Sequence, residues 1–182
     1  RLVLLASRYG EINILPPTYS KLNYLKVKDV ISHLNPIGAG EIDKKDSLHR
    51  AKKLEPINIE RIRQSKPKGT WRDWDMSILP NCYKKKSGNT YTSVYGRMSF
   101  NEIAPTITTQ FYNYGSGRFG HPEQNRALSL REGALLQTFP IEYDFGKDIT
   151  FTKTGRHIGN AVPPKLAEII GKSIIKHLGE YL

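Results

Sequence analysis

The 182-residue sequence predicts an α+β fold: a small, mostly β or irregular middle domain between one N-terminal strand and C-terminal helices. Three observations predict it. Leu2 to Ala6 is a continuous apolar run. Thr90 to Phe111 is dominated by the β-formers Thr, Tyr, Val, Ile and Phe. Leu166, Ile169, Ile170, Ile174 and Leu178 recur at helical spacing. Apolar residues make up 38% and charged residues 25% of the chain, which favours a packed core over disorder.

Leu2–Ala6 has the character of a strand buried on both faces. Such strands belong to sheets covered by helices, and the rest of the chain supplies no such sheet. Pro16-Pro17 ends the segment. Val27, Val30, Ile31 and Leu34 predict a short helix closed by Asn35-Pro36, Gly38 and Gly40. Residues 41–90 are polar and broken by Pro56, Pro67, Gly69, Pro80 and Gly88, with a two-turn helix at Asn58–Gln64 capped by Asn58. The β-run from Thr90 predicts two or three short strands, and Tyr112–Gly120 a glycine-rich loop. Ser129-Leu130-Arg131-Glu132 is a capping box opening a helix through Leu136, with Pro140 ending the segment. Pro163-Pro164 starts the last helix, because a fixed φ and a missing N–H cost nothing there.

Several classes are excluded early. No apolar run approaches the ~20 residues of a membrane helix, and the opening apolar stretch is too short for a signal-peptide core. One cysteine, Cys82, precludes an internal disulfide. The five histidines fall at no ligand spacing, so no metal site is expected. The formal charge is +11, pointing to a polyanionic partner such as nucleic acid. The excess is largest in residues 41–90, with 13 basic and 7 acidic side chains; a solvated charged face is the bland alternative.

Three segments carry a more specific signal: Arg1-Leu2-Val3-Leu4-Leu5; Arg126-Ala127-Leu128-Ser129-Leu130-Arg131-Glu132-Gly133-Ala134-Leu135-Leu136-Gln137-Thr138-Phe139-Pro140; and Gly155-Arg156-His157-Ile158-Gly159-Asn160-Ala161-Val162-Pro163-Pro164. Together, and in this order, they resemble the last three blocks of the DNA cytosine-5 methyltransferases. The resemblance implies residues 1–18 as a terminal strand and connector of an incomplete Rossmann-like methyltransferase domain, 19–125 as a target-recognition domain, and 126–182 as the two C-terminal blocks. It implies a parent enzyme, of the restriction-modification kind, that methylates ring carbon 5 of cytosine in duplex DNA using S-adenosylmethionine, in a bacterial, cytoplasmic, nucleoid-associated setting. The base would be flipped out of the stack, a cysteine would add to ring carbon 6, and a glutamate would stabilise the developing charge.

Those catalytic residues belong to Pro-Cys and Glu-Asn-Val blocks that this sequence lacks, as it lacks the Phe-x-Gly-x-Gly cofactor turn. Cys82, in Pro80-Asn81-Cys82-Tyr83, reads as an ordinary residue of the recognition region. The expectation is therefore a fragment or split subunit, inactive alone, whose partners are duplex DNA and a missing N-terminal catalytic half. Arg1 stands at the end of the family's Gln-x-Arg-x-Arg block, which implies a contact to the flipped cytosine in the whole enzyme and a frayed terminus in the isolated chain.

For DNA binding, Arg97 is the leading candidate, as a bidentate fork on guanine or a phosphate contact. Thr106 matches a family threonine at the phosphate beside the flipped base; a strand former is the plain alternative. Gly117 and Arg118, in Gly115-Ser116-Gly117-Arg118, suit a phosphate or a tight turn. Arg72 lies between Trp71 and Trp74, which read as stacking platforms or as core anchors. The resemblance implies that Asn160, Ala161 and Val162 close one wall of the cofactor pocket, although Asn before a helix is also a common turn residue. Arg131 and Glu132 read as structural. A stand-alone sequence-specific DNA-binding module is the non-catalytic alternative. A nuclease has only the faint match Glu41-Ile42-Asp43-Lys44.

Overall fold

The computed structural model describes residues 2–146 and 149–181. The chain forms two compact units, one of residues 2–24 with 162–181 and a larger one of Leu25–Ala161. Residues 126–161 pack inside the larger unit rather than with the terminal helix.

The larger unit contains α1 (Val27–Ile31), α2 (Pro56–Gln64), α3 (Asn81–Lys84), α4 (Leu130–Leu136) and α5 (Phe151–Asn160). α1 is entered through the Asp29 carboxylate, which accepts from the Lys26 amide at 2.8 Å. α2 begins earlier than expected, with Pro56 in its first turn and Glu55 at the cap, because proline is pre-set for that position. α4 opens with the expected capping box: the Ser129 hydroxyl accepts from the Glu132 amide at 3.1 Å, and Glu132 accepts from the Ser129 amide at 2.7 Å.

α5 has no counterpart among the elements the sequence predicts. Thr150 caps it, and two glycines explain both its invisibility and its existence. Gly weakens helix propensity, but a Cβ at Gly155 would overlap the Tyr112 ring, and one at Gly159 would overlap the Thr108 carbonyl. These one-turn-apart glycines let α5 lie directly against residues 108–112.

The predicted strands do not form. Among the described residues there are only three isolated bridges, Ile42 with Arg50, Arg97 with Gly120, and Gly120 with Ala127. The β-formers of residues 90–111 are instead held in irregular chain whose partner changes every residue or two. The Arg97 amide bonds the Gly69 carbonyl and the Met98 amide bonds the Gly120 carbonyl, so no ladder can propagate. The side chains still build two cores. One centres on Val27, Ile31, Phe111, Leu128, Leu130 and Ile158; the other on Ile62, Trp71, Trp74, Leu79 and Tyr114.

In the smaller unit α6 (Pro164–Gly179) carries Pro164 in its first turn, as expected. Its buried residues are polar, Ser173 and His177. Leu15 donates its amide to Ser173 Oγ at 3.0 Å, His177 Nε2 meets Ser7 Oγ at 2.7 Å, and Tyr9 packs on Tyr181 with ring centroids 5.7 Å apart. Residues 2–7 are extended, with Val3, Leu5 and Ser7 half-buried and their neighbours exposed, the period of two of extended chain. They are not the doubly buried strand the apolar run predicts: Leu2 is 96% and Leu4 88% exposed. A lone extended segment has no ladder to join among the described residues.

Candidate nucleic-acid interface

The site is a cleft of about 390 Å³ in the larger unit, lined by Lys68, Arg97, Met98, Ser99, Glu102, Ile103, Ala104, Pro105 and Arg118. Lys68 and Arg118 present exposed cationic side chains, and Thr106, the next residue after the Pro105 wall, is exposed while Ile107 beside it is buried. Glu102, on the same cleft, is paired with Lys68, and that hydrogen bond and charge hold its carboxyl below the usual carboxylate range. A larger hollow of about 540 Å³ is lined by Asp46, Glu142 and Asp144 as well as Arg50 and Arg131. Its carboxylates give it the poorer sign for a polyanion.

Lys68 is held at φ 66°, in the left-handed region. Its amide donates to the Arg97 carbonyl at 3.0 Å, which fixes the turn. Gly117, by contrast, has an extended backbone (φ 166°) that any residue adopts, so its glycine is not demanded by conformation. Close packing demands it instead, because a Cβ there would press on the Phe119 ring. Gly96 serves Arg118 in the same way: a Cβ at Gly96 would overlap the Arg118 side chain.

Arg97 lies on this cleft, but its guanidinium points inward, and the residue is only 8% exposed. It donates to the main-chain carbonyls of Ile62 (2.8 Å), Ser65 (3.2 Å), His121 (3.0 Å), Pro122 (3.1 Å) and Glu123, with the Gln124 carbonyl and the Asn125 Oδ1 at 3.4 Å. Burial pulls its pKa down from the usual value. The expected base or phosphate contact is therefore revised, because the fork is already spent on main-chain acceptors. Arg72 is exposed, 5.6 Å above the Trp71 ring, and is not among the cleft's lining residues. Trp71 is a core anchor rather than a base platform, stacked on Tyr83 at 4.6 Å with its indole N–H on the Tyr91 carbonyl at 2.6 Å. Trp74 is likewise buried, donating to Ser65 Oγ at 2.7 Å.

Behind the cleft lies a buried polar network that sequence reasoning missed. Arg126 is fully buried and grips both Glu132 oxygens at 2.7 Å. For Glu132, burial pushes the carboxyl up, but the Arg126 hydrogen bonds and charge outweigh it, and the net shift is downward. His121 Nδ1 accepts from the amides of Glu123 (3.1 Å) and Gln124 (2.9 Å), so its proton is on Nε2, 3.5 Å from Glu132. Burial pushes His121 down to about 4. His49 donates from Nε2 to the Asn35 carbonyl at 2.8 Å and takes the Ser129 hydroxyl on Nδ1 at 2.9 Å. Arg131 clamps both Asp46 oxygens and the Ile141 carbonyl, a structural role as expected. Ser129, Arg131 and Glu132 were visible in advance, as the capping box and its neighbour; Arg126, His121 and His49 were not.

Asn160 is exposed at the C-terminal end of α5, whose last carbonyls are held by Gln137: its amide donates to Ile158 at 2.8 Å and Ala161 at 3.5 Å. Val162, 52% exposed, opens the smaller unit. Cys82 is an exposed free cysteine on α3. Arg1 lies outside the described residues. Among the described residues no cluster of His, Cys, Asp and Glu is arranged to hold a metal ion, and no helix is long and apolar enough to cross a membrane.

A family model described as C-5 cytosine-specific DNA methylase matches residues 1–176. The Type II methylase M.HgiDII of Herpetosiphon aurantiacus is 52% identical over 180 residues, 98% of this chain and 51% of that protein. DNA (cytosine-5)-methyltransferase 3 of Arabidopsis thaliana is 33% identical over 175 residues, 82% of this chain and 12% of that protein. The Type II methyltransferase M.AquIB of Picosynechococcus sp. is 32% identical over 133 residues, 68% of this chain and 83% of that protein. The chain thus spans about half the length of the first relative and a small part of the second. It belongs to the C-5 cytosine-specific DNA methylase family.

Proposed function

We propose that this chain is the target-recognition and C-terminal part of a cytosine-5 DNA methyltransferase of the restriction-modification kind. It grips and positions duplex DNA while a catalytic part, outside these residues, makes the bond. The observation that carries this reading is the cleft bearing Lys68 and Arg118 beside Thr106, in a chain of net charge +11. Two exposed cations line one hollow, Lys68 alongside its partner Glu102, and side chains of this kind give affinity for a phosphate backbone rather than base readout. Thr106 adds a hydroxyl for the phosphate flanking the target base. The Gly117–Arg118 turn supplies the second wall, and Arg72 contributes at the periphery.

The methyl donor, S-adenosylmethionine, would supply the transferred methyl group. Asn160 and Ala161 fit one edge of it. An asparagine amide carries both a donor and an acceptor, and Gln137 bonds the carbonyl of Ile158 beside it. Val162 follows them in the family block. The nucleophile is not supplied here: Cys82 sits in a Pro-Asn-Cys-Tyr stretch of the recognition region, and the chain has no other cysteine. Alone, the chain does not transfer methyl groups.

The test is complementation. This chain is mixed with a polypeptide carrying the family's Pro-Cys and Glu-Asn-Val blocks, duplex DNA and a methyl-labelled donor. 5-Methylcytosine is expected from the mixture and from neither part alone. Methylated adenine, or no product with a partner active in its native context, contradicts the proposal.

A further inference from the structure

Lys68 and Arg118 come from distant segments, yet both are placed by main-chain bonds to the same three residues. On one side the Lys68 amide donates to the Arg97 carbonyl and the Arg97 amide to the Gly69 carbonyl, both at 3.0 Å. On the other, the Gly96 amide donates to Gly117 at 3.0 Å, Gly120 to Gly96 at 2.9 Å and Met98 to Gly120 at 2.9 Å. Residues 96–98 are the floor from which both walls of the cleft hang. Among the described residues no sheet keeps that floor in register, and its only ladder-like pairing is the single Arg97–Gly120 bridge.

The Arg97 side chain does this instead. Its guanidinium runs from the floor to the C-terminal end of α2, through the carbonyls of Ile62 and Ser65, and to the 121–125 loop. A guanidinium has five N–H donors in a fixed fork, and here they converge on oxygens from two separate segments, 62–65 and 121–125. The α2 end is also where the helix dipole favours a cation. A lysine cannot reproduce this, because it has three donors on one point.

We propose that Arg97 is a positioning residue of the DNA cleft: it touches no DNA, and it sets the placement of Lys68 and Arg118 by fixing residues 96–98. The inference rests on the reading of the cleft as a DNA interface.

The test is a double-mutant cycle in the intact protein, with duplex affinity measured against salt and folding checked by thermal midpoint. Arg97→Lys should lower affinity about ten-fold for target and non-target duplexes alike. In a Lys68→Ala/Arg118→Ala background the same change should cost less than about two-fold, because its effect passes through those two side chains. If the ten-fold loss persists undiminished in that background, or if discrimination at one base pair alone is lost, Arg97 contacts DNA itself and the proposal fails. Should Arg97→Lys not fold, Gly96→Ala takes its place in the cycle, since its Cβ overlaps the Arg118 side chain and so reports on whether residues 96–98 place that wall. It should weaken DNA binding, and this loss should vanish in the Arg118→Ala background; a variant that binds like wild type overturns the proposal. If wild type shows no salt-dependent duplex binding, both the DNA reading and this inference fall.

Discussion

The two units of this chain solve the same problem in opposite ways. Among its described residues the larger unit has only isolated bridges and no sheet, yet it buries Phe111, Leu128, Leu130, Ile158 and even Arg126 and Glu132 almost completely. Irregular chain can be buried only if its polar atoms find partners, and here charged side chains supply them: Arg97 for the carbonyls of 62–65 and 121–123, and Arg126 with Glu132 for the turn into α4. The smaller unit has a regular 16-residue helix, but its buried contacts are polar. Leu2, Leu4, Leu22 and Ile175 are 96%, 88%, 100% and 71% exposed. Regular secondary structure is therefore a poor guide to which part of this chain stands alone. The completeness of side-chain satisfaction is the better one.

Glu132→Ala breaks the comparison most directly. It strands the Arg126 guanidinium without a counter-charge at full burial, and a loss of about 3–5 kcal/mol is expected. Chemical denaturation measures it; a loss under about 1 kcal/mol shows that the larger unit does not depend on its ionic hub. Next is pH. The folded His121 ring titrates at about 4 and an ordinary one at 6.5, so its contribution is complete above 6.5 and lost as pH falls toward 4. Protonation removes the acceptor that holds the Glu123 and Gln124 amides. Stability should drop by up to ~3 kcal/mol across that window, a drop that His121→Asn, whose amide oxygen can still accept, should largely flatten. In the smaller unit, Ser173→Ala should cost only about 1 kcal/mol by freeing the Leu15 amide, read as faster amide exchange at Leu15. Smallest of all, Leu4→Lys or Ile175→Lys should leave stability within about 0.5 kcal/mol, because both side chains are exposed. A large stability loss would show that these side chains are already buried in solution.

What was legible in the sequence follows physical range. The α4 capping box and the Pro164 start of α6 are local chemistry, and both were readable from neighbouring residues. So was the helix at α2, although Pro56 moved its start. α5 was hidden because Gly155 and Gly159 argue against a helix until Tyr112 and Thr108 are known to press on it. The β-formers of 90–111 were read as strands because propensity says nothing about whether one partner segment stays alongside. Arg97 was read as a DNA contact because the carbonyls that occupy it come from residues 62–65 and 121–125, which no spacing rule connects. Lys68 escaped notice for the same reason, since its place on the cleft depends on the Arg97 carbonyl. Arg118 and Thr106 are exposed in irregular chain, as short polar or glycine-rich stretches predict.

The most direct measurement is duplex-DNA affinity from about 50 to about 200 mM salt for wild type and Lys68→Ala/Arg118→Ala. A steep fall in log affinity with log salt is expected for wild type, with the slope shallower by about two units in the double variant as two phosphate contacts are lost. Equal slopes for the two proteins would mean that the Lys68–Arg118 cleft does not hold the DNA backbone.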